Sequence, residues 1–113
     1  MKILVKILLS SIAVVIASYL LPGVVVDSFM TAIIIAIILS LLNVTVKPIL
    51  IVLTIPLTVF TLGLFLVVIN AVIVLLADSL ISGFIVHNFW WALIFSLLLS
   101  LINALLTDLS KER

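Results

Sequence analysis

Few residues in this chain can do chemistry, and their types and spacing limit what that chemistry can be. The acids are Asp27, Asp78, Asp108 and Glu112, His87 is the single histidine, and cysteine is absent. General acid–base or nucleophilic work needs such groups within mutual reach. No carboxylate pair, cysteine or partnered histidine falls inside the long apolar runs, so the reading is that the chain is no enzyme and has no catalytic residues. His87 lacks carboxylates at ligand spacing and a cysteine to join it, which leaves no metal site and no cofactor to expect. The lack of cysteine also removes disulfides, and the redox compartment stays open.

What remains is a set of neutral polar groups inside apolar sequence: Ser10, Asn43, Asn70 and Asn103. An amide in hydrocarbon is uncomfortable and must find a partner or water. It can join helices, where such hydrogen bonds typically return about 0.6 kcal/mol and at most about 2, or it can line a polar path. Asn70, near the middle of its run, is the first choice for a lining residue. Small residues accompany these amides. Ala32, Ala36 and Ser40 recur every four residues, as do Ala92, Ser96 and Ser100, and small side chains on one stripe let helix backbones approach closely.

The elements that hold these groups must be membrane helices. Of the 113 residues 68% are hydrophobic and 8% charged, and the mean hydropathy is +1.78, where a soluble domain is about half apolar and a quarter charged. A net charge of +1 supplies no basic stripe for nucleic acid. A crossing takes about 20 apolar residues. Residues 3–21, 29–46 and 89–107 meet that length. The stretch 49–77 is roughly 43 Å as one helix and holds Pro56, so the third span is expected from Leu57, with 49–55 a short apolar turn or dip at the inner face. Four spans put Lys2, Lys6, Lys47, Lys111 and Arg113 on one side and Asp27, Asp78 and His87 on the other, which by the positive-inside rule places both termini in the cytoplasm. Three or five spans would divide the basic residues. Lys47, Trp90 and Trp91 are expected as topology anchors, with Tyr19 beside the tryptophans at the outer ends. The first run could serve as a secretory signal, but no small-x-small cleavage pattern ends it, so an uncleaved helix is the simpler account.

Sliding the sequence by 60 positions places Gly23, Val26, Phe29, Ala32, Ile34, Leu39, Ser40, Leu41 and Asn43 on Gly83, Val86, Phe89, Ala92, Ile94, Leu99, Ser100, Leu101 and Asn103, each an identity. The rarer letters, Gly, Phe, Ser and Asn, carry the weight. The expected architecture is an all-α integral membrane four-helix bundle, one transmembrane domain built from two helical-hairpin repeats. Repeat 1 covers about 3–46, an inner Pro-bounded linker 47–56, repeat 2 about 57–107 and a short charged tail 108–113. Two copies that each cross twice have the same orientation, the parallel type of repeat. The loops at 23–28 and 83–88 then share the outer face, where their β-branched runs either pair as short strands or form ordinary loops.

Several segments carry a family resemblance: Phe29-x-Thr31-Ala32, Leu42-Asn43-x-x-x-Lys47-Pro48-Ile49-Leu50, Leu53-Thr54-x-Pro56-Leu57-Thr58, Thr61-Leu62-Gly63-Leu64-Phe65, Ile69-Asn70-Ala71 and Gly83-Phe84-x-Val86-x-x-Phe89-Trp90-x-Ala92. Together they resemble the four-span phage holin superfamily IV, including bacterial chromosomal members of the YvlD type. The resemblance implies a small protein of the bacterial inner membrane that oligomerises and opens lesions, releasing an endolysin or collapsing the proton gradient. A proton-coupled exporter would need an ionisable residue within the membrane, and apart from Lys6 at the inner end of the first span the spans contain no acid, base or histidine. Two functions remain: a self-assembling, holin-like permeabilising protein, and a structural or envelope-stress protein that packs with itself or a partner without a pore. The lipid bilayer and a homo-oligomer are the partners expected, with no nucleic acid and no small-molecule substrate.

Overall fold

The computed structural model describes residues 2–111; of the expected charged tail, Glu112 and Arg113 lie outside them. Helix α1 spans Lys2–Leu20, strand β1 Val24–Val26, α2 Phe29–Leu53, α3 Ile55–Phe60, α4 Phe65–Leu80, β2 Phe84–Val86 and α5 Phe89–Lys111. Three of the helices, α1, α2 and the Phe89–Leu109 part of α5, are long and apolar enough to cross a membrane, and α4 is a shorter apolar helix. The chain is a mostly helical membrane protein, with a small β-ribbon added at one end.

Capping explains where the helices start. Ser28, extended at φ −161° and ψ 166°, accepts from the Thr31 N–H at 3.2 Å and opens α2. Sixty residues later the Asn88 side chain accepts from the Trp91 N–H at 3.0 Å and opens α5. Both supply an acceptor to a helix-end donor that has no partner within the helix. α1 stops before Pro22 and Gly23, with the Leu21 N–H bonded to the Ala17 carbonyl at 3.1 Å. The end of α4 repeats this with Ile81 and Ala77, also at 3.1 Å.

Two expected boundaries differ. α2 does not end at Val46 but runs through Pro48 to Leu53, about 37 Å of helix. Proline forfeits one hydrogen bond, but leaving the helix in an apolar medium would free several backbone groups at once. α2 ends instead at Thr54, whose hydroxyl and N–H both donate to the Leu50 carbonyl, at 2.7 and 3.1 Å. Leu57 starts no span: it lies in α3, where Pro56 occupies the first turn, a position that needs no N–H partner. The chain reverses after α3. The Gly63 N–H donates to the Thr58 carbonyl at 2.8 Å and the Leu62 N–H to the Val59 carbonyl at 3.0 Å, the Schellman arrangement. Leu62 at φ 58° and Gly63 at φ 90° take left-handed backbone there. α4 then begins at Phe65, its N–H held by the Thr61 hydroxyl at 3.1 Å.

The four long helices form a square in which α1 packs on α2 and α5, and α4 packs on the same two helices. Their shared core is Ala13, Val14 and Ala17 from α1, Ala32, Ile35 and Ala36 from α2, Ile73, Val74 and Ala77 from α4, and Ala92, Phe95 and Ser96 from α5, all buried. Each residue from the first pair of helices sits 60 positions before its counterpart in the second. The exterior, including Leu4, Leu8, Ile34, Leu41, Ile94 and Leu101, is apolar. Such a surface suits lipid, where tight packing between helices and not burial from water holds the bundle together.

The loops at 23–28 and 83–88 pair as antiparallel strands, Val24 with Val86, Val25 with Ile85 and Val26 with Phe84. Flanking bonds extend the ribbon: the Asp27 N–H donates to the Gly83 carbonyl and the His87 N–H to the Gly23 carbonyl, each at 3.0 Å. A shift of 60 residues maps this pairing onto itself, with Val25 and Ile85 at its centre.

Candidate functional site

The polar residues of the spans meet inside the bundle, at the end away from the ribbon. Ser40 and Asn43 on α2, Ser100 and Asn103 on α5, and Lys6 and Ser10 on α1 line a cavity of about 270 Å³. Residues three or four apart share a helix face, so Lys6 and Ser10 project together, as do Ser40 with Asn43 and Ser100 with Asn103. A smaller cavity of about 60 Å³ adjoins it, lined by Asn70 and Ser96 and sharing Asn43, Ser100, Leu39 and Leu99 with the first. Ser10, Asn43 and Asn103 thus come together in the larger space, and Asn70 reaches Asn43 only across the smaller one. Among the described residues no hydrogen bond links the three amide side chains to one another.

The cup is closed toward the ribbon. Val14, Ile35, Ile73, Phe84 and Phe95 are fully buried above it, and the Phe84 and Phe95 rings sit 5.7 Å apart at 51°, within the favourable range for aromatic pairs. At the other end Ser40, Asn43 and Ser100 are exposed, so the cup reaches the surface there. The six small residues divide accordingly. Ala32, Ala36, Ala92 and Ser96 are buried, Ala36 against the larger cavity and Ser96 against the smaller with its hydroxyl turned back to the Leu93 carbonyl at 2.8 Å, whereas Ser40 and Ser100 wall the exposed part of the cup.

The expected anchors are placed unevenly. Lys47 is half-buried one turn beyond Asn43, and Trp90 is exposed at the start of α5. Trp91 is half-buried, and its ring packs so closely over Gly23 that a Cβ there would overlap it. Tyr19 is exposed near the end of α1.

Three features escaped the sequence reading. Lys6 reads as a terminal charge, but its spacing of four from Ser10 and eight from Val14 was the signal that it joins the cup. Asp78, which the charge pattern assigns only to a side of the bundle, is half-buried at the end of α4 and accepts from the Val86 N–H at 3.2 Å, tying the ribbon to the helix. Phe84 and Phe95 carried no signal, since an aromatic in an apolar alphabet does not announce a plug.

Chemically the cup offers hydroxyls, amides and one ammonium, and its wall holds no acid. Such a wall can hold water or an anion, but contains no base or nucleophile to act on one. Among the described residues no group of three His, Cys, Asp or Glu side chains is placed to share a metal.

Comparison with known proteins places this geometry in a family. The family described as Mycobacterial 4 TMS phage holin, superfamily IV, matches residues 1–105. An uncharacterized protein of Streptomyces coelicolor is 42% identical over 90 residues, covering 73% of this chain and 72% of that one. The uncharacterized membrane protein YvlD of Bacillus subtilis is 37% identical over 103 residues, covering 90% and 87%. No solved structure gives a significant match. With its polar groups gathered between apolar helices and a family match running almost end to end, the chain belongs to phage holin superfamily IV.

Proposed function

We propose that this protein resides in the bacterial cytoplasmic membrane as a four-span bundle with both termini inside, and serves there as a packing or envelope protein that keeps the membrane sealed. The observation that carries this reading is the direction of the polar groups. Ser10, Ser40, Asn43, Asn70, Ser100 and Asn103 line cavities of one bundle, open only at the end where Ser40, Asn43 and Ser100 are exposed, while the exposed surface along the helices is mostly isoleucine, leucine and valine. A pore between copies needs a polar wall, since water in contact with that surface would cost about 25 cal/mol per Å² of apolar area. Lys2, Lys6 and Lys47 lie toward the cup end and Asp27, Asp78 and His87 toward the ribbon end, which supports an inward-facing cup. The matched caps, core positions and ribbon pairing at a spacing of 60 support descent from a duplicated hairpin. Four of the six small residues are buried inside the bundle, so contact with a second copy or a partner falls to the lipid-facing surface.

The holin reading draws support from one feature: the accessible Ser40-Asn43 and Ser100-Asn103 rows would line a lesion if α2 and α5 turned outward. Induced expression in a bacterium, with membrane potential followed by a dye, separates the two. Sustained growth with intact potential at high expression is expected; abrupt depolarisation would establish permeabilisation instead.

A further inference from the structure

Two cavities of opposite character meet at Lys6. The polar cup shares Lys6, Ser40 and Val44 with a groove of about 420 Å³ on the lipid-facing flank of α1 and α2, whose other walls are Ile3, Ile7, Ile37 and Leu41. A chamber with a mixed polar and apolar wall thus borders an apolar groove, with one cation at the junction. That is the shape and polarity of a phospholipid. We propose that the joined cavities bind one anionic phospholipid from the leaflet at the cup end, its phosphate in the cup against Lys6 and the neighbouring hydroxyls and amides, and an acyl chain along the groove toward Ile37.

Three observations bear on the occupant. Lys6 is the single charged residue in either lining, so the site attracts a net negative headgroup, while the cation of a zwitterionic one would meet the lysine with no acid to receive it. Lys6 stands one turn above Lys2, about 6 Å along the helix, a depth from which a lysine stem lies along apolar surface while its ammonium reaches headgroup level. The second hairpin does not repeat the site among the described residues. Sixty positions on, Leu66 stands for Lys6 and Asn70 for Ser10, and the corresponding space is only about 60 Å³. The symmetry of the bundle is broken at the residues a phosphate would use. The proposal needs the bundle to lie in a membrane but does not depend on whether it seals or permeabilises.

The test uses the full chain in mild detergent, with native mass spectrometry for bound lipid and thermal unfolding titrated with phosphatidylglycerol, phosphatidylcholine or glycerol 3-phosphate. Phosphatidylglycerol is expected to bind at one per chain and to raise the melting temperature, with phosphatidylcholine much weaker. Lys6→Gln should lower the apparent affinity about fivefold, the worth of one lysine beside an anionic surface, while Lys2→Gln, outside both cavities, should change it less. Ile37→Trp, which fills the groove and leaves the cup intact, should also weaken lipid binding. Equal binding of the two lipids, or equal effects of Lys6→Gln and Lys2→Gln, would overturn the proposal. Stabilisation by glycerol 3-phosphate as strong as by the lipid would assign the cup to a soluble anion and overturn the lipid reading.

Discussion

The three glycines allow backbone strain and steric overlap to be measured apart. At Gly63, with φ +90°, an added Cβ meets no atom within 4 Å, so Gly63→Ala should cost only the left-handed penalty, about 1 kcal/mol. Gly23 is the converse: its φ is not positive, but its Cβ would overlap the Trp91 ring, and overpacking of this kind costs about 1–3 kcal/mol. Gly83 combines both, with φ +88° and a Cβ driven into the Asp27 carboxylate, which accepts from the Thr31 hydroxyl. Gly83→Ala should therefore cost about 2–4 kcal/mol, the left-handed strain plus the Thr31 hydrogen bond lost when the exposed Asp27 carboxylate swings aside. Unfolding in detergent would be followed by tryptophan fluorescence in a Trp90→Phe background, so that the signal comes from Trp91 alone. Gly23→Ala should shift Trp91 emission as the ring is displaced, whereas Gly63→Ala should leave it unchanged. A stability order other than Gly63→Ala mildest and Gly83→Ala most severe, or unmoved Trp91 emission in Gly23→Ala, would refute the reasoning about the ribbon.

Two further substitutions probe other joints. Asp78→Ala should free the Val86 amide and lower its hydrogen-exchange protection at a cost of about 1–3 kcal/mol, the penalty for losing one partner of a charge-assisted bond, while Asp78→Asn, which keeps an acceptor, should cost less; equal effects would show that the bond to Val86 contributes nothing. Leu62→Gly should stabilise the chain by about 1 kcal/mol, because Leu62 holds φ 58° with its side chain 93% exposed and so gives up strain without losing packing; a lower melting temperature would mean that the exposed leucine has a contact of its own.

Much of this protein was legible from hydrophobicity and rare letters. Runs of apolar residues specify membrane helices because only a closed backbone hydrogen-bond ladder survives in lipid. Of the Gly, Phe, Ser and Asn pairs 60 residues apart, Ser40 with Ser100 and Asn43 with Asn103 lie together on the wall of one cavity. The amides stood out because polar groups are costly in hydrocarbon. Periodicity could not show where helices end between Pro48 and Phe65, since every residue there is neutral and the stops are made by Thr54, Leu62 and Gly63 through local hydrogen bonds and left-handed backbone. Only the tertiary structure decided that the loops at 23–28 and 83–88 pair as strands, because pairing depends on two segments 60 residues apart being brought side by side. The same is true of the cup. Sequence placed Ser40 and Asn43 on one face of α2, but helical spacing says nothing about which neighbour that face meets. The square packing of α1, α2, α4 and α5 is what sets Lys6 and Ser10 of α1 and Ser100 and Asn103 of α5 beside it.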